Sequence, residues 1–149
     1  MRAASDFTAY TIGYQATSVE AFVASLRAQH IAHLIDIREV ALSRKKGFSK
    51  TALSEHLQEA GIRYSHLRAL GCPKSIRDQY RADGNWEHYA RGFTAYLGSQ
   101  STAIRDLVRT IEAERCCLMC FEADHTVCHR TLVARELGGT VVHLTARDS

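Results

Sequence analysis

Only one proline, Pro73, stands in the 149 residues, and no stretch approaches the ~18 consecutive apolar residues of a membrane-spanning helix. The first shortage excludes proline-rich linkers and collagen-like repeats; the second argues against a membrane span. The N-terminus also lacks a basic region followed by an apolar core, so a secretory leader is not expected and the predicted location is the cytoplasm. Charge of one sign is equally scarce. Nineteen Lys and Arg face sixteen Asp and Glu for a formal +3, too small an excess to argue for nucleic acid by itself. With 46% apolar and 23% charged residues the chain falls well outside the disordered range. Its length suits one domain burying roughly 68–70% of its unfolded surface.

What is present is arginine, which greatly outnumbers lysine, and five cysteines: Cys72, Cys116, Cys117, Cys120 and Cys128. The planar guanidinium fork favours carboxylate and phosphate ligands, although codon bias filling surface positions explains the same excess. An odd cysteine count without a secretory leader predicts reduced thiols. The Cys117-x-x-Cys120 spacing admits redox or zinc chemistry, but it lies inside an apolar run, not at a helix start.

Hydrophobic patterning predicts strands and helices in alternation. Phe7 to Ile12 reads as a strand ending at Gly13, and Ser18 as the N-cap of a helix from Val19 to Ala28. His30 to Ile37 is a buried parallel strand. A helix from Lys50 to Ala60 closes at Gly61, and Ile62 to His66 forms a short strand. Leu67 to Gly84 reads as an irregular connection with one helical turn near Ser75 to Tyr80. Trp86, Tyr89, Phe93 and Tyr96 fall on one helical face, which is ordinarily core and less often a platform for an aromatic ligand. A helix from Ser101 to Ala113, a strand from Cys116 to Phe121, a helix from Thr131 to Leu137 and a strand from Val141 to Leu144 complete the chain. The expected fold is a single α/β domain, with a mainly parallel sheet of about five strands flanked by helices.

Three polar clusters follow predicted strands. Gly13-Tyr14 follows the first, Asp36-x-Arg38 with Ser43-Arg44 the second, and Cys120-x-Glu122-x-Asp124 with Cys128-His129-Arg130 the strand from Cys116. In a parallel sheet all three converge on the carboxyl edge, where ligands bind. Thr11-Ile12-Gly13, Asp36-x-Arg38, Ser43-Arg44, Gly61-Ile62-x-Tyr64, Leu70-Gly71, Leu118-x-Cys120-x-Glu122 and Cys128-His129-Arg130 together resemble the uncharacterised DUF488 family, from Thr11 to His143. That resemblance implies an α/β fold and no established activity.

The residues themselves suggest roles. Cys128 precedes a predicted helix, whose N-terminal dipole would stabilise a thiolate or an anion, with Arg130 beside it. His129 suits proton transfer near neutral pH, and Glu122 or Asp36 suits acid–base catalysis if burial raises the carboxyl pKa. Arg38, Arg44 and Arg130, with Ser43, are candidates for binding anionic oxygens; Tyr14 and Tyr64 for stacking on a ring; Gly13 and Cys120 for the floor of the site. The plainer alternatives are structural. Asp36 and Arg38 can serve an ion pair, Cys128 can be a small buried residue, and the run Ser43-Arg44-Lys45-Lys46 can be solvated charge.

The leading functional expectation is an enzyme acting on a nucleotide, nucleic acid or other phosphorylated substrate, by hydrolysis of a glycosidic or phosphate bond. Its rivals are rhodanese-like thiol or sulfur-transfer chemistry at Cys120 and Cys128, and a non-catalytic module that binds nucleic acid or protein. Glu122 and Asp124 count against the sulfur reading, because negative charge beside a thiol raises its pKa. No cofactor is called for, and a divalent metal on Cys128, His129 and Glu122 is left open.

Overall fold

A computed structural model describes residues 6–146. Its single sheet contains β1 (Thr8–Gly13), β2 (His33–Asp36), β3 (Arg63–His66), β4 (Cys116–Cys120) and β5 (Thr140–His143), all parallel, in the order β3-β2-β4-β1-β5. Six helices connect them: α1 (Val19–Ala28), α2 (Lys50–Glu59), α3 (Lys74–Asp83), α4 (Trp86–Gly98), α5 (Ser101–Ala113) and α6 (His129–Leu137). Among the described residues no helix is long and apolar enough to cross a membrane.

Alternation along the strands sorts the core into two layers. Ala9, Ile35, Cys116 and Leu118 face Phe93, Leu107, Val108, Ile111 and Val133 of α4, α5 and α6. Their neighbours Ile12, Leu34, Cys117 and Met119 face Phe22, Leu26, Leu53 and Leu57 of α1 and α2. Central β4 is buried at every residue, as its unbroken apolar sequence Cys-Cys-Leu-Met-Cys requires. Burial of each large aliphatic or aromatic side chain stabilises the fold by about 1.5–3 kcal/mol.

The connections leaving β1 and β2 pass through α1 and α2 on one face, whereas the connection leaving β4 passes through α6 on the other. The chain therefore diverges between neighbouring strands at their carboxyl ends, the place where open parallel sheets form ligand crevices. Beyond the strands, Tyr14 N donates to Cys120 O (3.2 Å) and Gln15 N to Phe121 O (2.8 Å), which keeps the two departing loops side by side.

The segment from Leu67 to Gly84 departs from expectation. A short 3-10 turn (Arg68–Leu70) leads into the ten-residue helix α3. Pro73 at its start and Gly84 at its end, the latter at φ 64°, are the ordinary start and stop signals of a helix. Strong polarity hid the helix, since none of its residues is buried. Helix α6 also begins two residues before the expected Thr131, at His129.

Candidate active site

Beneath the crevice lies a closed polar knot. Asp36 is fully buried and accepts from Arg38 Nε (2.9 Å) and Nη2 (2.7 Å), from the Arg38 backbone N–H (3.1 Å) and from the Tyr64 hydroxyl (2.6 Å). Arg38 Nη1 in turn donates to the Tyr14 hydroxyl (3.2 Å). Burial opposes the charge on Arg38, but the hydrogen-bonded Asp36 carboxylate outweighs it and raises the guanidinium pKa. Burial, reinforced by the same carboxylate, raises the Tyr64 hydroxyl. The Asp36 carboxylate is thus engaged by this buried pair and by Tyr64, and it does not border the cavity. Tyr64 is likewise fixed as a donor, and Tyr14 stacks on Phe48 at 4.5 Å.

Above the knot opens a cavity of about 670 Å³, within the ordinary range for small-molecule sites. Tyr14, Arg38, Ser43, Cys120, Glu122 and His129 border it, so clusters from β1, β2 and β4 do meet. Arg44, by contrast, is exposed on the loop after β2 and lies outside the lining. Several walls were not anticipated. Glu39 and Arg77 pair across 2.6 Å, while Tyr80 and Arg81 enter from α3 and Tyr89 from α4. Arg77, Tyr80 and Arg81 come from the segment expected to be irregular, where the Pro73 and Gly84 signals would have placed them, whereas Tyr89 belongs to the aromatic face of α4 already considered as a ligand platform.

The sulfur atoms form the floor on the β4 side. Cys120 ends β4, Cys128 is the N-cap of α6, and the two form a disulfide, which corrects the expectation of reduced thiols for this pair. Cys72, Cys116 and Cys117 are free. Cys117 and Cys120 point to opposite sheet faces, because positions three apart on a strand cannot share one; that spacing is no redox motif here. Burial pushes the Cys72 thiol up to about 11.

Arg130 holds the loop between the two cysteines. It is 1% exposed and donates from Nε to Thr11 Oγ1 (3.1 Å), from Nη1 to Cys120 Sγ (3.1 Å) and to the Glu122 carbonyl, and from Nη2 to the Ala123 carbonyl (3.4 Å). Its fork is therefore engaged inside the protein and does not border the cavity as an anion-binding group. Gly13 permits the arrangement. A Cβ there would overlap the Glu122 carbonyl and stand 2.9 Å from Arg130 Nη1. Gly13 thus allows close approach of β1 to the backbone of the Glu122 loop.

Glu122 Oε2 lies 3.5 Å from Cys120 Sγ. Burial raises the Glu122 carboxyl pKa, with Arg130 pulling the other way. Asp124 turns aside to accept from Thr126 N (2.9 Å) and Thr126 Oγ1 (2.6 Å), which caps the short turn His125–Val127. The negative charge expected beside the sulfur is therefore reduced to Glu122 and is answered by Arg130. His129 is buried, meets the edge of Phe93, and bonds through Nε2 to the Ile37 carbonyl (2.7 Å). Burial holds its pKa down to about 4, so it is neutral at pH 7. A carbonyl partner requires the proton on Nε2, which leaves the Nδ1 lone pair 4.0 Å from Cys128 Sγ.

No curated protein and no solved structure matches the chain. A family model described as a domain of unknown function, DUF488, matches residues 18–137, a span that includes Asp36, Arg38 and Tyr64 of the knot, the cavity walls other than Tyr14, and the Cys128-His129-Arg130 segment. The chain belongs to the DUF488 family.

Proposed function

We propose that this domain is an enzyme of thiol–disulfide chemistry, exchanging electrons between the Cys120–Cys128 pair and a low-molecular-weight thiol or disulfide bound in the cavity. The observation that carries this reading is the position of the pair. Cys120 borders a ligand-sized cavity, and its bonded partner is the N-cap of a nine-residue helix.

In the reducing direction, a substrate thiolate attacks Cys120 Sγ from the cavity, forming a mixed disulfide and breaking the Cys120–Cys128 bond. Cys128 leaves as a thiolate, stabilised by the backbone N–H groups and dipole at the start of α6; a lower leaving-group pKa speeds that departure. A second substrate thiolate attacks the substrate sulfur of the mixed disulfide and releases Cys120 as a thiolate. The substrate leaves as its disulfide, and the protein holds two reduced cysteines. Arg130 Nη1 stabilises charge on the Cys120 sulfur. Tyr14, Tyr89 and Phe121 offer aromatic surface to the body of the substrate, and exposed Val40 and Leu42 border the same opening.

The assay uses oxidised glutathione as disulfide and dithiothreitol as electron donor, in the presence of a chelator. Protein-dependent exchange is expected, abolished in Cys120→Ser and Cys128→Ser and kept in Cys116→Ser, whose thiol is buried at the opposite end of β4. Exchange no faster than the uncatalysed reaction, or exchange that survives Cys120→Ser, overturns the reading. A second reading, hydrolysis of a phosphorylated substrate, is favoured by Glu122 beside Arg77 and Arg81 on the same walls. It requires turnover that persists after Cys120 and Cys128 are blocked and is lost in Glu122→Gln.

A further inference from the structure

We infer that Cys120, Cys128 and His129, once the two cysteines are reduced, form a three-ligand site for a thiolate-preferring divalent ion of the zinc class, its fourth position facing the cavity. The inference shares the cysteine pair with the exchange reading and needs the pair to be reducible, but it does not need turnover.

One ligand atom from each residue lies within 4.8 Å of the other two, and all three residues are buried. They come from the end of β4 and the first turn of α6, elements that Arg130 ties together, so the ligands are held on rigid supports. His129 is already oriented as a ligand: Nε2 is anchored on the Ile37 carbonyl, and Nδ1 points its lone pair toward the sulfurs. Such an outer hydrogen bond on the far ring nitrogen is what fixes metal-binding imidazoles in place.

The dimensions agree. Metal–sulfur bonds of ~2.3 Å and metal–nitrogen bonds of ~2.0–2.1 Å in tetrahedral geometry set neighbouring ligand atoms roughly 3.5–3.8 Å apart. Nδ1 and Cys128 Sγ stand 4.0 Å apart. The Cα atoms of the cysteines are 7.6 Å apart, so breaking the sulfur–sulfur bond lets the two side chains turn apart to hold an ion between them. Two cysteines and one histidine with an open fourth position form a ligand set of the catalytic kind. Cys120, Glu122 and His129 all border the cavity, so a water or a substrate atom completes the shell with the Glu122 carboxyl beside it. Arg130 works against a dication, and two thiolates together with Glu122 oppose that effect.

A dithiol donor reduces the disulfide and becomes a disulfide itself. The ion then displaces one proton from each thiol, so two protons leave per ion bound.

The test takes the full chain, reduces it anaerobically with a phosphine, strips it with a chelator and titrates it with Co²⁺. One equivalent is expected to bind, with thiolate-to-cobalt charge-transfer absorption and proton release, and the oxidised chain is expected to bind none. Cys128→Ser and His129→Gln should weaken binding by at least the ~10–100-fold that loss of an outer-shell partner costs. If either variant fails to fold, the contrast between the oxidised and reduced unmodified chain decides. Reduced protein that gives no charge-transfer band, or a band that persists in a Cys120→Ser/Cys128→Ser double variant, overturns the site. Exchange turnover is assayed with the metal removed, so exchange without cobalt binding rejects this inference alone, and cobalt binding without exchange rejects only the exchange reading.

Discussion

Substituting Gly13 by alanine adds one methyl group at the tightest point beneath the site. The new Cβ would stand 2.6 Å from the Glu122 carbonyl carbon and 2.9 Å from Arg130 Nη1. Neither neighbour can yield easily. The first is backbone of the loop that carries Cys120 and Glu122, and the second belongs to a guanidinium bonded to Thr11, Cys120, Glu122 and Ala123. Overpacking of this kind costs about 1–3 kcal/mol, and a displaced loop also weakens a charged hydrogen bond worth about 1.5–3 kcal/mol. A loss of about 3 kcal/mol is expected, or roughly 6–12 °C in Tm for a domain of this size. Urea titration with an unchanged slope should report it as a lower midpoint. Thiol exchange at the cysteine pair should fall in the fraction that remains folded. Gly98→Ala is the control, because its added Cβ meets nothing within 4 Å; it should be neutral or stabilise α4 by up to about 1 kcal/mol. A Gly13→Ala protein as stable as its parent would refute the close approach of β1 to the Glu122 loop.

Three further outcomes are expected. Asp36→Asn strands the buried Arg38 charge and should cost about 3–5 kcal/mol by chemical denaturation, whereas Tyr64→Phe removes one bond to the carboxylate and should cost about 1–3 kcal/mol. His143 bonds to Thr11 and stacks on His125 at 3.7 Å, and burial, helped by His125 and Arg130, lowers its pKa to about 4. The unfolded chain, with an ordinary histidine pKa near 6.5, then binds the proton more readily, so the contribution is complete above pH 6.5 and lost as pH falls toward 4. Discounted for its partial exposure this amounts to about 1–2 kcal/mol. Denaturation midpoints between pH 7 and 4 should lose that part of their slope in His143→Gln. Finally, Arg130→Met should release the loop around Cys120 and make the cysteine pair alkylate faster after reduction, measured by peptide mass; unchanged rates would show that the loop does not depend on Arg130.

Much of the fold was legible because its signals are local. Ser18 caps α1 by accepting from Ala21 N, and the apolar run Cys116 to Cys120 is the central strand its composition demands. The convergence of three strand-end clusters also followed from parallel topology alone. What the sequence could not give is how those groups share partners. Asp36 and Arg38 stand two residues apart in either reading, yet only the fold shows that Tyr64 and Tyr14 complete their bonds and withdraw Asp36 from the cavity. Arg130 is similar, since a guanidinium next to Cys128 reads as an anion site until its four partners are known. The walls contributed by Arg77, Tyr80 and Arg81 were lost because only Ile76 and Tyr80 of α3 turn toward the core and none of its residues is buried, so two apolar positions four apart give too short a periodic signal.

The most direct measurement traps the reaction at its midpoint. Cys128→Ser, incubated with a glutathione-class disulfide and digested without reduction, is expected to carry one glutathione on Cys120, because the thiol that would release it is gone. Adducts spread over Cys72, Cys116 and Cys117 with Cys120 unmodified would contradict thiol chemistry at the β4 edge.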